Sequence, residues 1–145
     1  MSEKRSLHLK TVISGSYRKH LKELISLRNL LERANIEVLS PVSAVALNPN
    51  DEFILLDTDP THNHHILQDS IFAKILASSF LVLAKVGGYI GNAALMEVGY
   101  SIAYNLQIFT LEPVTDPNIA PYCKPISIIP PEITGTYEEE KRAVL

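Results

Sequence analysis

Between Lys85 and Glu112 the chain carries a single ionisable acidic or basic side chain, tyrosines aside: Glu97, in the stretch "GYIGNAALMEVGYSIAYN" among Ala94, Leu95, Met96, Val98 and Ile102. On a helix reaching towards a sheet crevice, its apolar neighbours would raise the carboxyl pKa and the helix-end dipoles would lower it. A partly desolvated carboxylate of this kind suits a nucleophile or a base. The competing reading is a helix glutamate on a solvated face. Asp69 is the second acid. It shares a helical stripe with Ile66, Phe72, Ala73 and Leu76, so it is expected to point to the apolar side, unless it only complements the helix dipole from the first turn.

"SGSYRK" supplies a different chemistry. Ser14, Gly15 and Ser16 form a turn between a strand and a helix, exposing backbone N–H groups, and Arg18 adds a bidentate donor; together they can cradle a phosphate, or serve only as the turn. Tyr17, Tyr89 and Tyr100 either stack on a base or cover surface. The run "HNHH" places His62, His64 and His65 where adjacent side chains diverge and no thiolate helps, so no metal and no cofactor is expected.

These residues need elements to hold them. "LHLKTVISGS" alternates and then breaks at Ser14-Gly15-Ser16, which predicts a first strand. Leu21, Leu24, Ile25, Leu27, Leu31 and Ala34 recur at steps of three and four, predicting a helix from Arg18 to Ala34 with Lys19, Lys22, Arg28 and Arg33 outside. "NIEVLSP" is a second strand stopped by Pro41. Residues 41–63, with Pro41, Pro49 and Pro60, have no clear pattern beyond the apolar patch "EFILLD". "HHILQDSIFAKILASS" predicts a second helix and "FLVLAK" a strand buried on both faces. "KVGGYIG" follows as a loop, and Asn92 is expected to cap a third helix to about Asn105. "QIFTLEP" and "KPISIIPP" predict the last two strands. The tail, about residues 135–145, reads as a loose end.

Strands alternating with helices predict a Rossmann-like or flavodoxin-like α/β fold: a mostly parallel sheet of about five strands with helices on both faces. Ligands in such sheets bind outside the carboxyl ends of the strands, where strand order reverses. The loops to inspect are Gly15 to Lys19, Val86 to Gly91 and Glu112 to Asp116. At 145 residues and 46% hydrophobic content, one domain over 1–145 with a real core is expected. A net charge of −3 and a pI of 5.9 offer no basic field for a nucleic-acid polymer or an anionic membrane. Cys123 is the sole cysteine, which fits a reducing cytoplasm, and no apolar run approaches a membrane span.

The ordered set resembles the nucleoside 2-deoxyribosyltransferase-like superfamily, which includes the 2-deoxynucleoside 5-monophosphate N-hydrolases. The resemblance covers most of residues 9–116 and is most specific at Glu-Val-Gly-Tyr within "GYIGNAALMEVGYSIAYNLQIFTLEP". It implies that Glu97 is the nucleophile attacking the anomeric carbon of a nucleoside or nucleotide, giving a covalent glycosyl ester. It implies that Asp69 orients the sugar or protonates the departing base, and that Gly15, Ser16 and Arg18 hold a 5-phosphate. Where many relatives have a tyrosine near the end of the first strand, this chain has Val12 and Ile13, with Tyr17 nearby. Where the nucleotide hydrolases have a serine before the glutamate, it has Gly91 and Asn92. The resemblance also implies a homo-oligomer whose neighbouring subunits help close the site. The alternative is a non-catalytic nucleotide-binding sensor module with the same phosphate turn.

Overall fold

A strand between two layers is buried on both faces, and the first strand, β1 (Leu9–Ser14), is buried at five of its six positions. Leu9 and Ile13 enter one core cluster while Val12 enters the other. The computed structural model describes residues 8–51, 54–84 and 90–128. Within them β1 is followed by α1 (Tyr17–Arg33), β2 (Ile36–Ser40), α2 (His64–Leu76), β3 (Phe80–Leu83), α3 (Asn92–Ala103), β4 (Ile108–Thr110) and β5 (Cys123–Pro125). The strands form one parallel sheet in the order β2-β1-β3-β4-β5, the flavodoxin-like arrangement.

Helices cover both faces. On one, Leu24, Leu27 and Leu31 of α1 pack on Ile13, Ile36, Val38, Val82 and the edge-to-face pair Phe80–Phe109, whose ring centroids are 5.4 Å apart. On the other, Ile75 of α2 and Ala94 and Val98 of α3 pack on Val12, Leu81, Leu83 and Ile108. All four residues of β3 are buried, as a central parallel strand requires. Helix ends are signalled locally: Asn35 (φ 69°) and Asn105 (φ 58°) take the left-handed conformation just past α1 and α3.

Three expectations are corrected in detail. Gly91, not Asn92, is the N-cap of α3; Asn92 is its first helical residue, so no side chain caps that terminus. The last strand lies earlier than "KPISIIPP": Cys123–Pro125 pair with β4, and Ile126–Ile128 form a 3₁₀ turn, because Pro125 cannot donate to a continuing ladder. In α2 the buried stripe runs through Leu67 and Ile75, leaving Ile66 and Leu76 more than half exposed. The expected loop at Val86–Tyr89 and the tail at 135–145 lie outside the described residues. Residues 41–63 supply one antiparallel bridge, Ala46 to Leu56, and fold Ile54 and Leu56 into the interior. Among the described residues no helix is long and apolar enough to cross a membrane.

Candidate functional site

The order β2-β1-β3 places the reversal point of the sheet at the carboxyl end of β1, and the chain is shaped to leave space there. Gly15 follows β1 directly. A Cβ on it would lie 3.1 Å from Leu24 Cδ1 and 3.2 Å from the Ala84 carbonyl, so a side chain here would crowd the start of α1 against the sheet. Ser16 then caps α1, its hydroxyl accepting from the Lys19 N–H at 3.1 Å. Across the sheet end α3 begins at Gly91. Both helix N-termini border a cavity of about 400 Å³, with Gly15, Ser16 and Arg18 on one side and Gly91, Asn92 and Ala93 on the other. Two positive dipole ends and an exposed guanidinium make this end of the cavity favourable to an anion.

Glu97 lies one and a half turns into α3, on the face that packs on the sheet, and lines the same cavity at 8% exposure. This decides between the two readings of the residue: it is not on a solvated face. Ser14 at the end of β1 donates its hydroxyl to Oε1. Gln68 of α2 donates Nε2 to Oε2 at 2.9 Å. Burial pushes the carboxyl pKa up, and the Gln68 and Ser14 hydrogen bonds pull it down, with burial the larger effect. Ser101 Oγ donates to the Glu97 carbonyl at 2.8 Å from the next turn, pinning the backbone that carries it. Tyr17 and Ser40 pair hydroxyl to hydroxyl at 2.7 Å on the cavity wall. Burial, with the fields of Glu97 and Asp59 adding to it, holds the Tyr17 phenol protonated far above its ordinary range.

Of the expected site residues, Glu97, Gly15, Ser16, Tyr17, Arg18, Gly91 and Asn92 line this one cavity. Ser14 does not face it; it is buried beneath Glu97 as a hydrogen-bond donor. Asp69 stands apart. Its side chain is 62% exposed and lies 3.6 Å from His65 on the outer face of α2. Both sides of that helix carry apolar residues, so hydrophobic periodicity did not fix which one meets the sheet, and a one-residue error turns a side chain by about 100°. The side chain aimed at Glu97 is the neighbouring Gln68. Tyr100 stacks on Phe72 at 4.6 Å, away from the cavity, and Tyr89 lies outside the described residues.

Three further contributors were not visible in the sequence. Gln68 is neutral and gave no signal; an amide on the sheet-facing stripe of α2 would have been the clue. Residues 41–63 supply Val42, Ile54, Leu56, Thr58, Asp59 and Pro60 to the cavity wall. Lys74 completes the wall from α2. The loop at Glu112 to Asp116 takes no part in lining it.

No protein-family model and no curated protein matches this sequence. Among solved structures, the crystal structure of a conserved protein from Enterococcus faecalis V583 is similar, with a TM-score of 0.50 and 18% identity over 72% of this chain. The likeness supports the α/β fold alone, and the chain spans 63% of that protein's length.

Proposed function

We propose that this protein cleaves or transfers the N-glycosidic bond of a nucleoside or nucleoside 5-monophosphate, with Glu97 as nucleophile, in the manner of the nucleoside 2-deoxyribosyltransferase-like superfamily it resembles. The observation that carries the reading is the setting of Glu97: a buried carboxylate at the wall of a cavity, held through both oxygens by the neutral donors Ser14 and Gln68. Neutral donors fix the direction of attack without supplying a counter-charge that would quench the nucleophile. Burial strips water from the carboxylate and makes it more basic, which favours attack on carbon once it is ionised.

In the proposed reaction a Glu97 oxygen attacks the anomeric carbon. The C–O bond forms as the C–N bond breaks, and the bonding pair leaves with the base, which takes up a proton. Water, or a second base, then attacks the same carbon and releases Glu97. The anionic end of a monophosphate falls to Gly15, Ser16, Arg18, Gly91 and Asn92. Incubating the protein with a panel of nucleosides and monophosphates, with Glu97→Ala as control, tests this. Base release by the wild type and none by the variant is the expected outcome; equal release by both, or none by either, rejects it.

One observation favours the runner-up, a nucleotide-binding sensor without turnover. Asp69, the acid the resemblance implies, stands exposed beside His65, and the side chain against Glu97 is the neutral amide of Gln68. That reading expects a monophosphate to bind, with affinity reduced by Arg18→Ala and unchanged by Glu97→Gln, and no base to be released. A homo-oligomer is part of either proposal: Ile66 and Leu76 of α2, Met96 of α3 and Tyr104 just past α3 are more than half exposed, apolar surface suited to a second copy. Light scattering in solution reads the oligomeric state.

A further inference from the structure

A nucleotide has three parts, and the cavity wall divides accordingly. The Gly15–Arg18 turn and the start of α3 form its anion-favouring end, and Glu97 marks where a sugar carbon must sit. What remains is the wall formed by the segment after β2, with Val42, Ile54, Leu56 and Pro60 as apolar surface. Among the described residues this wall carries one carboxylate, Asp59. Its Oδ2 accepts the Leu56 N–H at 2.8 Å, and its own N–H donates to the Leu56 carbonyl at 3.0 Å. The reciprocal pair closes a tight turn and fixes the carboxyl group before any ligand arrives. Asp59, Tyr17 and Glu97 line the same cavity.

From this placement we infer that Asp59 reads the base: the protein selects nucleotides whose base presents an amino group, such as adenine or cytosine, over those presenting a carbonyl oxygen at the same position. The inference rests on the reading given under Proposed function. An ionised carboxylate only accepts hydrogen bonds, so it pairs with an amino N–H and repels a carbonyl oxygen. Partly buried beside Ile54 and Leu56, it discriminates because the wrong partner leaves a fixed acceptor unmatched. The Leu56 N–H adds a directional constraint. In Asp59→Asn the side-chain carbonyl must stay on that N–H, so the amide NH₂ turns to the cavity and becomes a donor. The variant should therefore favour the oxo base.

The test is calorimetric binding of adenosine, inosine, cytidine and uridine 5-monophosphates to the wild type and to Asp59→Asn, with thermal unfolding to verify the fold. The wild type should bind the amino member of each pair about tenfold more tightly, and the variant should reverse the order. A wild type that binds amino and oxo members equally overturns the inference on its own, even if the variant fails to fold. An amino preference that Asp59→Asn leaves unchanged also overturns it, while leaving Glu97 chemistry intact. If the wild type binds none of the four and releases no base from them, the nucleotide reading falls, and this one with it.

Discussion

Glu97→Gln should make the protein more stable at neutral and alkaline pH while removing any turnover. The substitution keeps the shape of the side chain. Its carbonyl can accept from Gln68 Nε2, and the Ser14 hydroxyl, which donates to the carboxylate in the wild type, can rotate to accept from the new amide. No buried polar atom is orphaned. What disappears is the charge. Two hydrogen bonds to a charged group contribute about 1.5–3 kcal/mol each, against a desolvation cost of several kcal/mol for a buried carboxylate. The Glu97 pKa moves up, so desolvation outweighs the two hydrogen bonds and the ionised form weakens the fold. The sign follows from proton linkage: a carboxyl whose pKa rises on folding binds its proton more tightly in the native state, so its contribution is fully present below the ordinary value of 4.5 and is lost as pH climbs through the folded value. The assay is thermal unfolding of both proteins across a pH series from about 4 to about 9. Above the folded pKa the variant should melt higher than the wild type, and its pH profile should lack the wild-type decline over the acid range. A variant that melts lower at alkaline pH, or one with the wild-type decline intact, refutes the argument that Glu97 is held against its own desolvation.

The remaining expectations probe other parts of the site and core. Arg18→Ala should weaken a nucleoside monophosphate about tenfold by calorimetry and leave the parent nucleoside unaffected, since a charged hydrogen bond contributes about 1.5 kcal/mol or more. Gln68→Glu places a second carboxylate against Oε2 of Glu97, which should push the acid limb of the pH–rate profile to higher pH; an unmoved limb would mean that Gln68 does not govern the ionisation of Glu97. Gly15→Ala should lower stability by about 1–3 kcal/mol in denaturant melts, because the new methyl meets Leu24 and the Ala84 carbonyl. Phe80→Ala, at 0% exposure, should cost about 3–5 kcal/mol in the same assay.

The sheet was legible in the sequence because its strands are short apolar runs punctuated by residues with fixed conformational roles. Pro41 ends β2, and Ser14-Gly15-Ser16 turns β1 into α1. β5 was placed too late because its three residues carry no hydrophobic pattern: Cys123 is half-buried and Lys124 and Pro125 are exposed, so pairing with β4 rather than burial defines the strand. The Asn92 cap was misplaced by one residue for a related reason. Gly91 has the extended conformation of an N-cap and offers no side chain to recognise, whereas Ser16 and Asn63, the caps of α1 and α2, announce themselves by their hydrogen-bonding side chains.

At the site the division runs along charge. Glu97 stood out because a lone acid in an apolar helix must be either solvated or held, and burial with two donors shows that it is held. The groups that hold it did not show that role: Ser14 was read as part of the phosphate turn and Gln68 gave no signal, and their meaning comes only from the crossing of β1, α2 and α3 in space. Asp69 drew attention for the same reason as Glu97, yet its charge is solvated beside His65. An isolated charge in the sequence therefore points to a question, and the packing of its helix supplies the answer. The acid that does share the cavity, Asp59, was hidden in the least regular part of the chain, where neither period two nor period 3.6 operates and where position is set by local turns such as its own reciprocal pair with Leu56. Regular elements place the buried carboxylate, while the irregular segment supplies the cavity wall around it.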